Sequence, residues 1–286
     1  MSNTLQTQTL FQMTAKSTLI AFVMMASAFT SQSAFAGSPV YVGIQTPQTV
    51  SIDTISHAPW DAILKKYVDK DGMVNYRDLK ANHADITSLN QYLVSLSGAN
   101  PNVPAKREAK LAFWINAYNA VTVHGILREY PTTSIRNHTA KAIGYNIWHD
   151  LKLFVGGTPY SLDSIEHKVL RKMGEPRIHF GIVCASIGCP RLLNEAYTAD
   201  KLNEQLELNS KDFFSRSQNF RYDANGRRFY MSAIMDWFGG DFGSSQADQL
   251  RRISGWLPTA AAQSAATQNA VSISYLDYDW KLNTKN

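Results

Sequence analysis

Apolar and polar residues alternate along this chain in two rhythms, one helical and one strand-like, in irregular order. Trp60, Ile63, Leu64 and Tyr67 share a face at helical spacing, which predicts a helix over Trp60 to Val68. Asp69-Lys70-Asp71-Gly72 then reads as a turn into a short strand, Met73 to Tyr76. A calcium loop is the alternative, but Gly72 comes too early and the closing Glu is missing. Ile86 to Leu96 is a second helix, and Lys106 to Tyr130, ended by Pro131, is the third and strongest. Its centre, Leu111 to Ala120, is apolar nearly all round, which means burial. Asn116, Asn119 and His124 are then polar groups in a buried element, and each needs a partner. Asn116 and Asn119 share a face; they either bond internally to nearby loops or line a site.

Leu151 to Leu162 holds two short apolar runs split by Gly156-Gly157, a hairpin signal. Ser161 to Lys172 reads as a helix, with Ser161 or Asp163 where a cap belongs. Arg177 to Val183 alternates as a strand, Ile178, Phe180 and Ile182 against His179, Gly181 and Val183. Helices over Asp200 to Phe214 and Gln246 to Leu257 follow, with strands over Gly226 to Met231 and Ser272 to Leu276. Strands and helices mix without βαβ order, so the expected class is α+β. Nothing between Trp60 and Trp280 resembles a linker. The expectation is a single compact domain over 57–286, its helices packed on a small, mostly antiparallel sheet, preceded by an extended leader over 37–56.

Residues 1–36 read as a secretory signal peptide. Lys16 is their only charge, the apolar run centres on Leu19 to Met25, and Ala34-Phe35-Ala36 is an A-x-A cleavage site. The run is about half the ~20 residues a membrane span needs. The expected address is periplasmic or secreted, with no stable membrane insertion after cleavage. The net charge of +5 is scattered, with Arg227-Arg228 and Arg251-Arg252 as isolated pairs, so nothing argues for nucleic acid.

Chemistry concentrates around the two cysteines, Cys184 and Cys189. Cys184 comes where an apolar run enters the loop Ala185-Ser186-Ile187-Gly188-Cys189-Pro190, a place suited to presenting a side chain. A cysteine nucleophile needs a base or positive charge beside it, and His167, His179 and Arg191 are near in sequence. On a straight strand His179 would lie about 16 Å from Cys184 and on the opposite face, which favours His167. Adjacent helical residues point about 100° apart, so Glu166 and His167 cannot both aim at one sulfur from a regular helix. The alternatives are a buried structural cysteine, a Cys184–Cys189 disulfide, or a zinc site, although Cys-x4-Cys is wider than zinc spacing. No elbow, Walker loop or dinucleotide fingerprint occurs, and no motif calls for a cofactor or a metal.

Three stretches carry a resemblance: Ala112 to Ala120, Ser161 to Arg171, and His179 to Pro190. With weaker matches at Trp237-Phe238, Asp241-Phe242 and Tyr278 to Asn283, the chain resembles the family called domain of unknown function 547. The resemblance implies similarity to papain-like cysteine hydrolases acting on small peptides or thiols such as glutathione. It implies Cys184 as nucleophile, His167 as base and Glu166 as orienting or substrate-binding acid, with His179 an alternative base. Cys189 would have a supporting role. Papain-like kinship requires rearranged topology or a helix beginning within Ala185 to Leu193. Backbone N–H groups of Ala185 to Gly188 would hold the oxyanion, Asn116 and Asn119 would line the pocket, and Arg191 would bind a substrate carboxylate. The alternative is a non-catalytic binding or scaffold module closed by a Cys184–Cys189 disulfide.

Overall fold

The segment Lys106 to Tyr130, apolar nearly all round at its centre, becomes the axis of the fold. In the computed structural model, which describes residues 38–47, 49–140 and 144–285, it forms the helix Arg107–Glu129, with every residue from Leu111 to Val123 buried. The expected signal peptide lies outside the described residues. The helix Ala58–Tyr67 packs on His83–Ser97, which packs on the long helix. Asn82 starts His83–Ser97 by accepting the Asp85 N–H at 3.1 Å. The expected strand Met73 to Tyr76 shrinks to Val74, which bridges Val68 and Thr284. Asn75 is the reason: its side chain accepts the Asp78 N–H at 3.1 Å and opens a helix, Tyr76–Ala81.

The class is α+β, as expected, in one domain. Among the described residues the strands form three small sheets rather than one, and parallel pairings join antiparallel ones. Val40–Val42 runs parallel to Leu151–Val155, which pairs antiparallel with Thr158–Ser161. Gly156 and Gly157, at φ +57° and +80°, make the turn of that hairpin. Val50–Ser51 pairs in parallel with Ala99–Asn100. In the third sheet Arg228–Ser232 lies between antiparallel Phe220–Asp223 and parallel Ser272–Leu276. No helix among the described residues is long and apolar enough to cross a membrane.

The segment expected as a strand, Arg177 to Val183, is instead a 3-10 helix, Pro176–Phe180, followed by irregular chain. Glu175 caps it by accepting the Arg177 N–H, and Pro176 pre-sets the backbone of its first turn. This turn ties two apolar cores together. Ile178 and Ile182 belong to the core of the long helix, whereas Phe180 belongs to a second core with Phe213, Phe214, Phe229 and Trp256. Tyr278 packs against both, so it marks the seam between them.

Among the described residues three histidines are enclosed as neutral rings, His179 fully and His57 and His124 in part. Burial brings His57, His124 and His179 down to about 4, at His179 against the pull of Asp241. An unfolded histidine protonates near 6.5. Between pH 6.5 and 4 the unfolded chain therefore binds more protons, and stability falls as pH drops through that window. Glu166, raised by burial to about 7, works in the opposite sense between pH 7 and 4.5, one group against three. The melting temperature is expected to fall steadily from pH 6.5 to 4. A flat or rising profile would contradict neutral burial of these rings.

Candidate active site

Cys184 and Cys189 are brought together by a loop that is fixed from both sides. Ala185 takes a left-handed φ of +55°. The C-terminal segment then straps the loop: Asp279 O accepts the Gly188 N–H and Lys281 O accepts the Ile187 N–H, both at 2.8 Å. A Cβ at Gly188 would meet the Asp279 backbone at 3.0–3.1 Å, so glycine allows this close approach. The sulfurs end 2.7 Å apart, both as free thiols. Around them Tyr278 Oη lies 3.2 Å from Cys184 Sγ, 3.0 Å from Cys189 Sγ and 2.8 Å from Ser186 Oγ. The Cys184 N–H donates to Cys189 Sγ at 3.0 Å.

These donors decide where charge settles. Burial opposes a thiolate at Cys189, but hydrogen bonds from the Cys184 thiol, Ser186, Tyr278 and the Cys184 N–H outweigh it and bring that thiol down to about 6. Cys184 is pushed up by its hydrogen bond to Cys189 and by burial. The two titrate as one pair: once the first proton is lost, the charge sits on Cys189 and the remaining proton on Cys184.

Both sulfurs open into a cavity of about 340 Å³ that also takes in Glu166, His167 and His179. An aromatic wall of Trp148, Trp237, Tyr278 and Trp280 faces it, with Trp237 48% exposed. The segment carrying Glu166 and His167 is a helix of unequal parts. It starts as Leu162–Ser164, capped by Ser161, and widens into a π turn, Ile165–Leu170. That turn sends both side chains to the same cavity by different routes. Glu166 is held by the Tyr118 hydroxyl, which donates to it at 3.3 Å, and burial raises its carboxyl to about 7. His167 is 40% exposed, with Nδ1 facing the Arg171 guanidinium at 3.1 Å and Nε2 3.8 Å from Asp163. A guanidinium only donates, so His167 Nδ1 accepts and the ring proton sits on Nε2.

His179 lies in the same cavity, contrary to the strand-based expectation that set it on the far side. The 3-10 turn, not a strand, carries it there. Its ring stacks on Phe238 at 4.2 Å, and its Nε2 is 2.7 Å from Asp241 Oδ2. Asp241 is gripped in turn by Arg171 through two bonds, 2.6 and 2.9 Å. With Nε2–H directed at that carboxylate, His179 Nδ1 is the unprotonated nitrogen. Neither histidine hydrogen-bonds a cysteine sulfur, and Cys184 has Cys189, Ser186 and Tyr278 as its partners. His167 as the direct base of Cys184 is therefore not the arrangement found.

Asn116, Asn119 and Arg191 do not line this cavity. Asn116 exchanges two hydrogen bonds with the Tyr197 backbone, 2.7 and 3.0 Å. Asn119 donates to Gly181 O and accepts from the Val183 N–H, both 2.9 Å, which fixes the approach to Cys184. Arg191 bonds Asn209 Oδ1 and Lys70 O. No helix begins between Ala185 and Leu193, so the cysteine does not sit at a helix N-terminus as in papain-like enzymes. Two of the four expected oxyanion donors are engaged, since Ile187 and Gly188 direct their N–H groups to the C-terminal strap. Among the described residues no group of three or more His, Cys, Asp or Glu side chains is placed to hold a metal ion.

Tyr278 and Asp241 are among the residues that sequence reasoning did not assign to the site. Both fall in the short stretches near Asp241-Phe242 and Tyr278 to Asn283, so a signal for their position was present, though not for their contacts. A larger hollow of about 450 Å³ lies beside His57, but it holds no thiol, and its Asp61–Lys65 pair is closed at 2.6 Å.

No curated protein and no solved structure matches the chain. Residues 104–214, which supply the long helix, the π turn and both cysteines, match the model of the family described as Protein of unknown function, DUF547, and over that segment the chain is similar to that family.

Proposed function

We propose that this protein is an exported cysteine-dependent amide hydrolase acting on small peptides, glutathione-like thiols among them. One observation carries the reading: two thiols 2.7 Å apart share donors that favour a thiolate, on the wall of a cavity containing an ionisable carboxyl and two histidines.

Cys189 takes the proton of Cys184, and the Cys184 sulfur attacks the amide carbonyl. Cys184 is the less buried of the two and the better placed to meet a substrate. Once Cys189 carries a proton it no longer needs the Tyr278 hydroxyl, which is free to hold the oxyanion in place of the engaged Ile187 and Gly188 N–H groups. Burial pushes the Tyr278 hydroxyl well above its ordinary value, so it stays a donor. Glu166, near 7, gives its proton to the departing amine. As a carboxylate it then takes a proton from water, which attacks the thioester. Cys184 leaves as thiolate and recovers its proton from Cys189. Asp241 fixes His179, and Arg171 fixes His167, as polar walls of the site.

Alkylation of the reduced protein across pH, read by peptide mass, tests the thiol pair. Thiolate increases as pH rises through the pair's first titration, so reactivity should climb around pH 6 and then level, below the free-thiol value of about 8.5. Hydrolysis should follow a narrow bell, rising near 6 with the pair and falling near 7 as Glu166 loses its acid proton. Reactivity that rises only above pH 8 would overturn this assignment. A second reading, a binding module with a permanent Cys184–Cys189 disulfide, rests on the same sulfur contact and requires that nothing be alkylated without reductant.

A further inference from the structure

The cysteine pair has a property that amide hydrolysis does not use. Its sulfurs are in contact before any reaction, at 2.7 Å. The chain between them is already closed by Cys189 N–H to Ser186 O at 3.1 Å, and it is strapped to Asp279 and Lys281. Joining the sulfurs therefore costs little further chain entropy, and each is present to the other at a high effective concentration. Both face a cavity of about 340 Å³, open to a small molecule.

We infer that the Cys184–Cys189 pair exchanges with small organic disulfides, cycling between a dithiol and an intramolecular disulfide. Cys184, the less buried sulfur, attacks as thiolate after passing its proton to Cys189. One protein–small-molecule S–S bond forms, the reagent's S–S bond breaks, and the first small thiolate leaves and takes a proton from water. Cys189 then gives its proton to solvent and attacks Cys184 Sγ. The Cys184–Cys189 bond forms and the second small thiol departs. The pair is oxidised by two electrons and the reagent is reduced to two thiols. The depressed titration of the pair keeps a thiolate available near neutral pH, in support of the first step.

The inference stands on sulfur geometry, so it is independent of whether the protein cleaves amides. The reduced full chain is treated with 2-hydroxyethyl disulfide, which is small and uncharged, and is followed by thiol titration and peptide mass. The expected result is loss of both thiols, release of two small thiols, and a Cys184–Cys189 peptide lighter by two hydrogens with no adduct. Cys189→Ser should stop at a mixed disulfide on Cys184, at least about tenfold longer-lived than in the unchanged protein. A stable adduct on either cysteine of the unchanged protein would overturn the inference. So would both thiols surviving over the time in which free cysteine is consumed.

Discussion

Cys184→Ala is expected to lower amide hydrolysis by at least about 10³-fold, the scale on which removal of a nucleophile is felt. Its melting temperature should stay close to that of the unchanged protein, because the substitution removes one partly exposed sulfur whose partners are side chains. The informative comparison is Cys189→Ala. If Cys189 is the proton acceptor for Cys184, that variant loses roughly 10²–10⁴-fold, and the rising limb of its pH profile moves toward the ordinary thiol range of about 8.5. If Cys189 only packs against the loop, activity survives in Cys189→Ala and the rising limb of the profile does not move.

A large effect on stability is expected at Asn119. Its amide donates to Gly181 O and accepts from the Val183 N–H in a fully enclosed position. Asn119→Ala leaves one carbonyl and one N–H buried without partners, at about 1–3 kcal/mol each. The sum, about 4 kcal/mol, is a large share of a stability of about 5–15 kcal/mol, and it corresponds to a fall of about 8–16 °C in melting temperature. Urea denaturation measures it directly. A loss under about 1 kcal/mol would show that the loop entering Cys184 does not depend on this amide. Neighbouring Asn116 makes an equivalent pair of bonds to Tyr197, away from the cysteines, so Asn116→Ala should cost similar stability and less activity.

The helices were legible where apolar spacing was long and capped. Arg107–Glu129 follows directly from a continuous apolar centre that Pro131 ends, and Ser272–Leu276 forms where its alternation lies. Arg177 to Val183 misled because Ile178, Phe180 and Ile182 alternate like a strand. The alternation records insertion of Ile178 and Phe180 into two different cores, and the decisive local signal was Glu175-Pro176, an N-cap before a first-turn proline. The π turn has no comparable signature, since Ile165 and Leu170 are spaced as any helix would have them. The cysteines were found from sequence because both lie in one loop. Tyr278, 94 residues from Cys184 in the chain, and Asp241, 62 from His179, reach the site only through tertiary packing. For Asn116 and Asn119 the sequence left loop bonding and pocket lining open, and burial against the Tyr197 and Gly181 backbones accounts for both amides.

The most direct test of cysteine-dependent hydrolysis is to trap the acyl-enzyme. Fully reduced protein is mixed with a panel of small acyl amides and peptides, quenched in acid at short times, and read by peptide mass. The expected result is a substrate acyl group on Cys184, absent from Cys184→Ala, that decays as the free acid appears. Amide cleavage without any acyl group on Cys184, or no cleavage while Cys184 remains freely alkylated, would contradict it.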